Sequence, residues 1–335
     1  MMGGVKLARR IQLGQETTAG NAVAATTYWR GMGVPDDQRE VVFPEEHVGY
    51  ISGVNRSYQP KLAAAMDFES VEATFEQLGH IFNASVQALQ STGDTSGSGT
   101  VHAATAPTSS VPEITAIKTY TIEGGDNQQA EELEYAFVDE WELSGAPMES
   151  LKVSASWLGR QITKASFTGA LSIPTVEEIL FGKGKLYIDD VSGTIGTTQV
   201  TSGWVGFTLS YKSGWRPVFT GDGNLYFTFA KQVGPEISLE LKLEHDATGV
   251  SMRDAFKAGT AKQIRLLFEG SALTTAGTFT YKTLRLDMAG TFEESGPIED
   301  DEGDDILPFT FNVRYDPTAA LYFESVLVNE DSALP

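Results

Sequence analysis

From Ile237 to Glu244 the chain alternates strictly. Ile237, Leu239, Leu241 and Leu243 are interleaved with Ser238, Glu240, Lys242 and Glu244. A period of two places one apolar row and one polar row on opposite faces of an extended backbone, which a helix cannot do. The pattern recurs along the chain. Leu62, Ala64, Met66 and Phe68 form one such row, and Leu133, Tyr135, Phe137, Trp141 and Leu143 another, with Glu134, Glu140 and Glu142 on the opposite face. Leu151, Val153, Ala155 and Trp157 follow, and later Leu307, Phe309, Phe311, Val313 and Tyr315. Residues 263–269, 279–288 and 321–328 read as further strands. A chain that half-buries this many strands, with 34 glycines available for turns, is expected to be mainly β with short helices.

Two helices interrupt the strands. Val71, Phe75, Leu78, Phe82 and Val86 recur at helical spacing, which predicts a helix over 71–88 capped by Ser70. A shorter one is expected over 252–258, with Ser251 as cap and Asp254 three residues on. Residues 90–112, rich in Gly, Ser, Thr and Ala, read as a long loop. Residues 1–47 show neither period and read as an extended arm.

The order of elements repeats. Strand, helix and three strands at 62–69, 71–88, 114–123, 132–143 and 151–157 match 237–244, 252–258, 263–269, 279–288 and 307–315. Val48–Ser52 reads as the counterpart of Val205–Leu209. The expectation is a tandem duplication: arm 1–47, one domain at 48–174 and a second at 175–335. A hairpin inserted at about 213–236, with the turn Gly221-Asp222-Gly223-Asn224, is special to the second copy.

Charge narrows the function. The net charge is -21, with 21 acids against 11 bases in residues 1–170 and 24 against 13 in the rest. Evenly spread acidity opposes tight nucleic-acid binding, which needs clustered Lys and Arg. The chain has no cysteine, so disulfides, thiolate catalysis and Cys-based metal sites are excluded. The basic start (Lys6, Arg9, Arg10) is followed by no apolar run, so no secretory signal and no membrane helix are expected.

Several pieces, in order, resemble a known family. Ala8–Thr26 contains Glu16-Thr17, Gly20 and Thr26 after a short apolar-basic stretch, and is similar to the arm that opens many siphophage tail tube proteins. Met66-Asp67-Phe68-Glu69 leading into a helix, Tyr120–Asp126, Asp139–Ala146, and the close from Val313-Arg314-Tyr315-Asp316 to Val328-Asn329 also resemble that family. The resemblance implies two tandem β-sandwich or barrel-like tube domains, each with one helix. It implies a structural virion protein of the phage tail, made in the host cytoplasm, whose inner strands close a barrel across copies. It implies a ring of this chain that is either a trimer with pseudo-sixfold symmetry or a hexamer, the number that single-domain relatives use. Rings stack into a channel for DNA, with tape measure and terminator proteins as further partners.

No enzyme activity, cofactor or metal is expected. Glu299–Asp305 reads as a solvated acidic loop rather than a calcium site, because its spacing is not that of an EF-hand. His47, His80, His102 and His245 are scattered, and Gly182-Lys183-Gly184-Lys185 reads as a turn. Trp141 and Trp157 fall on core positions, whereas Trp204 and Trp215 are candidates for a subunit contact. By alternation, Glu134, Glu140, Glu142, Glu240 and Glu244 are the lumen-facing candidates. Two other classes compete: a carbohydrate-binding or hydrolysing β protein of a phage tail or surface, and an outer-membrane barrel. The second lacks an export signal and an aromatic girdle.

Overall fold

The computed structural model describes residues 5–108, 114–301 and 303–334. It is mainly β, with 50% of residues in strands and 9% in helices. The first half contains β1 (Arg10–Gln15), β2 (Thr27–Trp29), β3 (Gly33–Asp37), β4 (Glu40–Val42), β5 (Tyr58–Lys61), β6 (Ala64–Glu72), α1 (Leu78–Ser85), β7 (Gln90–Gly93), β8 (Thr100–Thr105), β9 (Tyr120–Gly125), β10 (Ala130–Gly145), β11 (Lys152–Gly159) and β12 (Ile162–Ala165). The second half contains β13 (Gly184–Asp190), β14 (Gln199–Val200), β15 (Trp204–Lys212), β16 (Trp215–Val218), β17 (Phe229–Gln232), β18 (Glu236–Glu244), α2 (Ala247–Ala258), β19 (Lys262–Ala272), β20 (Tyr281–Ser295), β21 (Glu299–Asp301), β22 (Asp304–Val313) and β23 (Phe323–Asn329).

The alternating segments are strands, as their period demands. β18 buries Ile237, Leu239, Leu241 and Leu243 and exposes Glu240, Lys242 and Glu244. Elsewhere the ladder overrides local pattern. Val71 and Glu72 belong to β6, not to a helix, because they pair with Val153 and Lys152 of β11. Helix α1 therefore starts only at Leu78, with Gln77 rather than Ser70 at its cap position, and all eight of its residues are buried. Helix α2 starts earlier than expected. The Asp246 side chain accepts hydrogen bonds from the Thr248 and Gly249 N–H groups and caps it. Gly259, at φ 62°, closes its C-terminus in the left-handed conformation that suits glycine.

Three further expectations are corrected. Residues 90–112 are not all loop, since β7 and β8 form a hairpin there. Residues 1–47 hold four strands. β1 pairs with both β2 and β9 and is buried on both faces, which removes the alternation that would have marked it. The acidic run at 299–305 is not simply a loop either, because Glu299–Asp301 form β21 and pair with the start of β22, while Glu302 lies outside the described residues.

The strand pairings occur twice in the same order. β1–β9, β3–β6, β6–β11, β9–β10, β10–β11 and β10–β12 match β13–β19, β15–β18, β18–β22, β19–β20, β20–β22 and β20–β23. One register irregularity corresponds as well. β10 shifts register between Val138 and Glu140, and β20 between Phe292 and Glu294. The counterpart of β15 is thus β3, not Val48–Ser52, which is not strand.

β10 and β20 each run from an outer sheet into a shared inner one. The inner order is β3-β6-β11-β10-β15-β18-β22-β20, with β10 and β20 contributing their C-terminal parts. The outer sheets are β2-β1-β9-β10-β12 and β14-β13-β19-β20-β23-β8-β7. One apolar core fills the space between the layers and includes Ile11, Phe68, Trp141, Trp157, Leu239, Phe268 and Leu327.

Each half also lends a hairpin to the other. β8 pairs with β23 at the edge of the second outer sheet. The β16–β17 hairpin, at the expected insertion, sets Trp215, Phe227 and Ala230 against Ile117, Tyr135 and Phe137 of the first half. Trp215 is thus fully buried within the chain. Trp204 packs on Phe181, Phe207 and Phe268. Trp215 is therefore not a surface contact, whereas Trp204 stays half-buried.

Candidate functional site: the outward sheet face and its open edges

One face of the inner sheet packs on the core and the other is open. On the open face β10 presents Glu140 and Glu142, β6 presents Asp67 and Glu69, and β18 presents Glu240 and Lys242. The alternation that buries Trp141 and Leu143 forces Glu140 and Glu142 to this side. Across the ladder Glu140 lies opposite Lys212, Glu142 opposite Ser210, and Glu240 opposite Thr208. Ser156 donates to Asp67 at 2.7 Å, and Lys152 pairs with Glu72 at 2.6 Å, which holds the Glu72 carboxyl below its usual range. A run of shallow depressions follows this face from Asp67 and Glu142 past Ser210 and Lys212 to Asn312.

Of the five acids singled out by alternation, Glu140, Glu142 and Glu240 share this face, and Glu244 stands exposed at the end of the same strand. Glu134 does not join them. β10 shifts register between Leu133 and Ala136, and Tyr135 between them takes φ 55°. The shift breaks the simple parity from which Glu134 was assigned. Its side chain instead accepts from Gln161 Nε2 at 2.9 Å, beside the outer sheet.

The bend at Tyr135 is braced by a buried carboxylate. Glu16 is 2% exposed. It accepts from the backbone N–H of Tyr135 at 2.8 Å, from Thr119 Oγ1 at 2.7 Å, from Thr121 Oγ1 at 3.1 Å and from the Gly20 N–H at 2.7 Å. Four donors satisfy a charge that would otherwise be costly to bury. β20 has no such register shift along β19 between Thr283 and Gly290, but it carries a different buried acid. Asp287 receives Arg265 through two hydrogen bonds of 2.7 Å.

Traced pair by pair among the described residues, the ladders do not return on themselves, so the inner sheet ends in two edges. Among the described residues β3 pairs only with β6. Among the same residues the C-terminal part of β20, from Thr291 to Ser295, pairs only with β22. Both edges are exposed and acidic, with Asp36 and Asp37 on β3 and Glu293 and Glu294 on β20. The sequence reads Pro35-Asp36-Asp37 as a turn, but all three belong to β3, and Glu293 and Glu294 were not singled out. Pro35 within β3 was the available signal, because proline in a strand favours an edge.

Chemically, the open face offers dispersed carboxylates and a few lysines. Among the described residues no three His, Asp or Glu side chains are grouped to hold a metal ion, and no helix is long and apolar enough to cross a membrane. No protein-family model and no curated protein sequence matches the chain.

Proposed function

We propose that this chain is the structural subunit of a bacteriophage tail tube, a non-enzymatic protein whose copies form stacked rings around a channel for DNA. The observation that carries the reading is the joint between β10 and β15. There, two four-stranded units of like order, β3-β6-β11-β10 and β15-β18-β22-β20, already continue one sheet edge to edge within a single chain. Unpaired strand edges favour further pairing, and head-to-tail addition of the same joint generates a ring. Two tandem tube domains per chain make that ring a trimer with pseudo-sixfold symmetry, in keeping with the family resemblance of the sequence.

The open face suits a lumen. Glu140, Glu142, Glu240, Asp67 and Glu69 outnumber Lys152, Lys212 and Lys242 across it. Phosphates meeting such a wall gain nothing from counterion release, so DNA passes without being held. Stacking of rings, and contacts with tape measure and terminator proteins, fall to segments outside the inner sheet. Phe43, Tyr50 and Ile51, at 61%, 73% and 108% exposure in the loop between β4 and β5, are apolar side chains free for that role.

Negative-stain electron microscopy of the purified chain, alone and with the other tail proteins, tests the proposal. Rings or hollow tubes of uniform diameter are expected. Monodisperse particles that bind or cleave a glycan would replace it with the carbohydrate reading.

A further inference from the structure

The matched registers of the two halves fix how the open edges would meet, and from them we infer a residue-level joint between copies of this chain. The inference rests on the tail tube reading and goes further by naming the partner strands and their alignment.

The internal joint supplies the template. Val138 of β10 lies opposite Trp157, and Phe292 of β20 lies opposite Phe311, each at the same step before its register shift. Trp157 in turn faces Met66, and Phe311 faces Leu239. These positions therefore correspond, and Glu140, Trp141 and Glu142 correspond to Glu294, Ser295 and Gly296. On the other side, Gly33 faces Phe68 and Phe207 faces Leu241. Ser210, Tyr211 and Lys212 accordingly correspond to Asp36, Asp37 and Gln38.

Inside the chain Glu140 pairs with Lys212, Trp141 with Tyr211, and Glu142 with Ser210. Carried to the open edges, the same ladder sets Glu294 of one copy opposite Gln38 of the next, Ser295 opposite Asp37, and Gly296 opposite Asp36. It also sets Ile298 directly opposite Val34. These are exposed apolar side chains, at 44% and 47%, that stand at the two edges with no partner that explains them.

The joint between copies differs in chemistry from the one within the chain. Trp141 and Tyr211 stack at 5.2 Å with their planes 6° apart, and Glu140 faces a lysine. Between copies the stacked pair becomes Ser295 and Asp37, and the lysine becomes Gln38. Asp36, Asp37, Glu293 and Glu294 then crowd one seam, with Arg39 already engaged by Asp37. The seam is held by backbone hydrogen bonds and opposed by like charge, so it closes reversibly while the internal joint stays shut.

The chain has no cysteine, so an engineered pair is unambiguous. Gln38→Cys with Glu294→Cys, both at exposed positions, is expected to give covalent oligomers on oxidation, ending in a closed three-chain species. Glu140→Cys with Lys212→Cys is the internal control and is expected to crosslink within one chain. Asp36→Cys with Glu294→Cys, two residues out of register, is expected to crosslink at least tenfold less. Assembly that proceeds while the in-register pair stays reduced and the internal control oxidises would overturn the joint and leave the tube reading standing. Absence of both assembly and intermolecular crosslinks would overturn both.

Discussion

The Glu16 carboxylate accepts a hydrogen bond from the Tyr135 backbone N–H at 2.8 Å and so ties the first strand to the bend of β10. That bend is where β10 leaves the outer sheet for the inner one. Tyr135 sits there at φ 55°, a conformation that costs a non-glycine residue roughly 1–2 kcal/mol. Glu16→Ala would strand the N–H of Tyr135 together with two threonine hydroxyls. The expected loss is about 3 kcal/mol or more in denaturant unfolding, since each orphaned donor costs roughly 1–3 kcal/mol. An unchanged midpoint would show that the bend holds without its brace.

A second buried acid is held by ion pairs. Asp287 is 2% exposed and receives both arms of the Arg265 guanidinium, with Arg285 Nε at 3.2 Å. Arg265→Ala leaves that carboxylate without its two-pronged partner and is expected to cost about 3–5 kcal/mol. Arg265→Lys recovers only part of this, because a lysine cannot make the paired contact. Thermal unfolding of the two variants beside the parent protein checks the order.

Stability should depend on pH through His80. Burial alone pushes its pKa from 6.5 down to about 4, and its Nδ1 lies 3.2 Å from the Tyr120 hydroxyl. The unfolded chain binds the proton more readily, so this contribution is complete above about pH 6.5. It is lost as pH falls toward about 4, on the order of 3 kcal/mol in total. His80→Gln carries no such titration. The gap between the two proteins' unfolding free energies should therefore shift in the variant's favour as acid is added, and parallel curves would contradict the assignment.

Assembly should respond to salt. Asp36 and Asp37 at one edge and Glu293 and Glu294 at the other repel when copies approach, and added salt screens them within roughly a Debye length of 10 Å at 0.1 M. Light scattering should show faster and more complete assembly as ionic strength rises. Asp36→Asn with Glu293→Gln should assemble at lower salt than the parent. Assembly that weakens with salt would place the driving contacts elsewhere.

What the sequence disclosed follows from how each element buries itself. β18 was legible because one face is wet and the other dry, and the same logic put Glu140, Glu142 and Glu240 on one surface. β1 was not, since four of its six residues are buried in succession. α1 was overextended because Val71 falls at helical spacing yet is claimed by its distant strand partner Val153. Glu134 falls away from Glu140 and Glu142 because a register shift is invisible to a count of alternating residues. The open edges were hidden for a deeper reason: which strand lacks a neighbour is a property of long-range pairing, and only Pro35 hinted at it.

Residue-resolved amide hydrogen exchange on the free and assembled chain tests the central claim most directly. The outward-pointing amides of Gly33–Asp37 and of Thr291–Ser295 should exchange quickly in the monomer and become protected together on assembly, as those of β10 and β15 already are. Assemblies whose two edges still exchange as fast as in the monomer would contradict a sheet continued from one copy to the next.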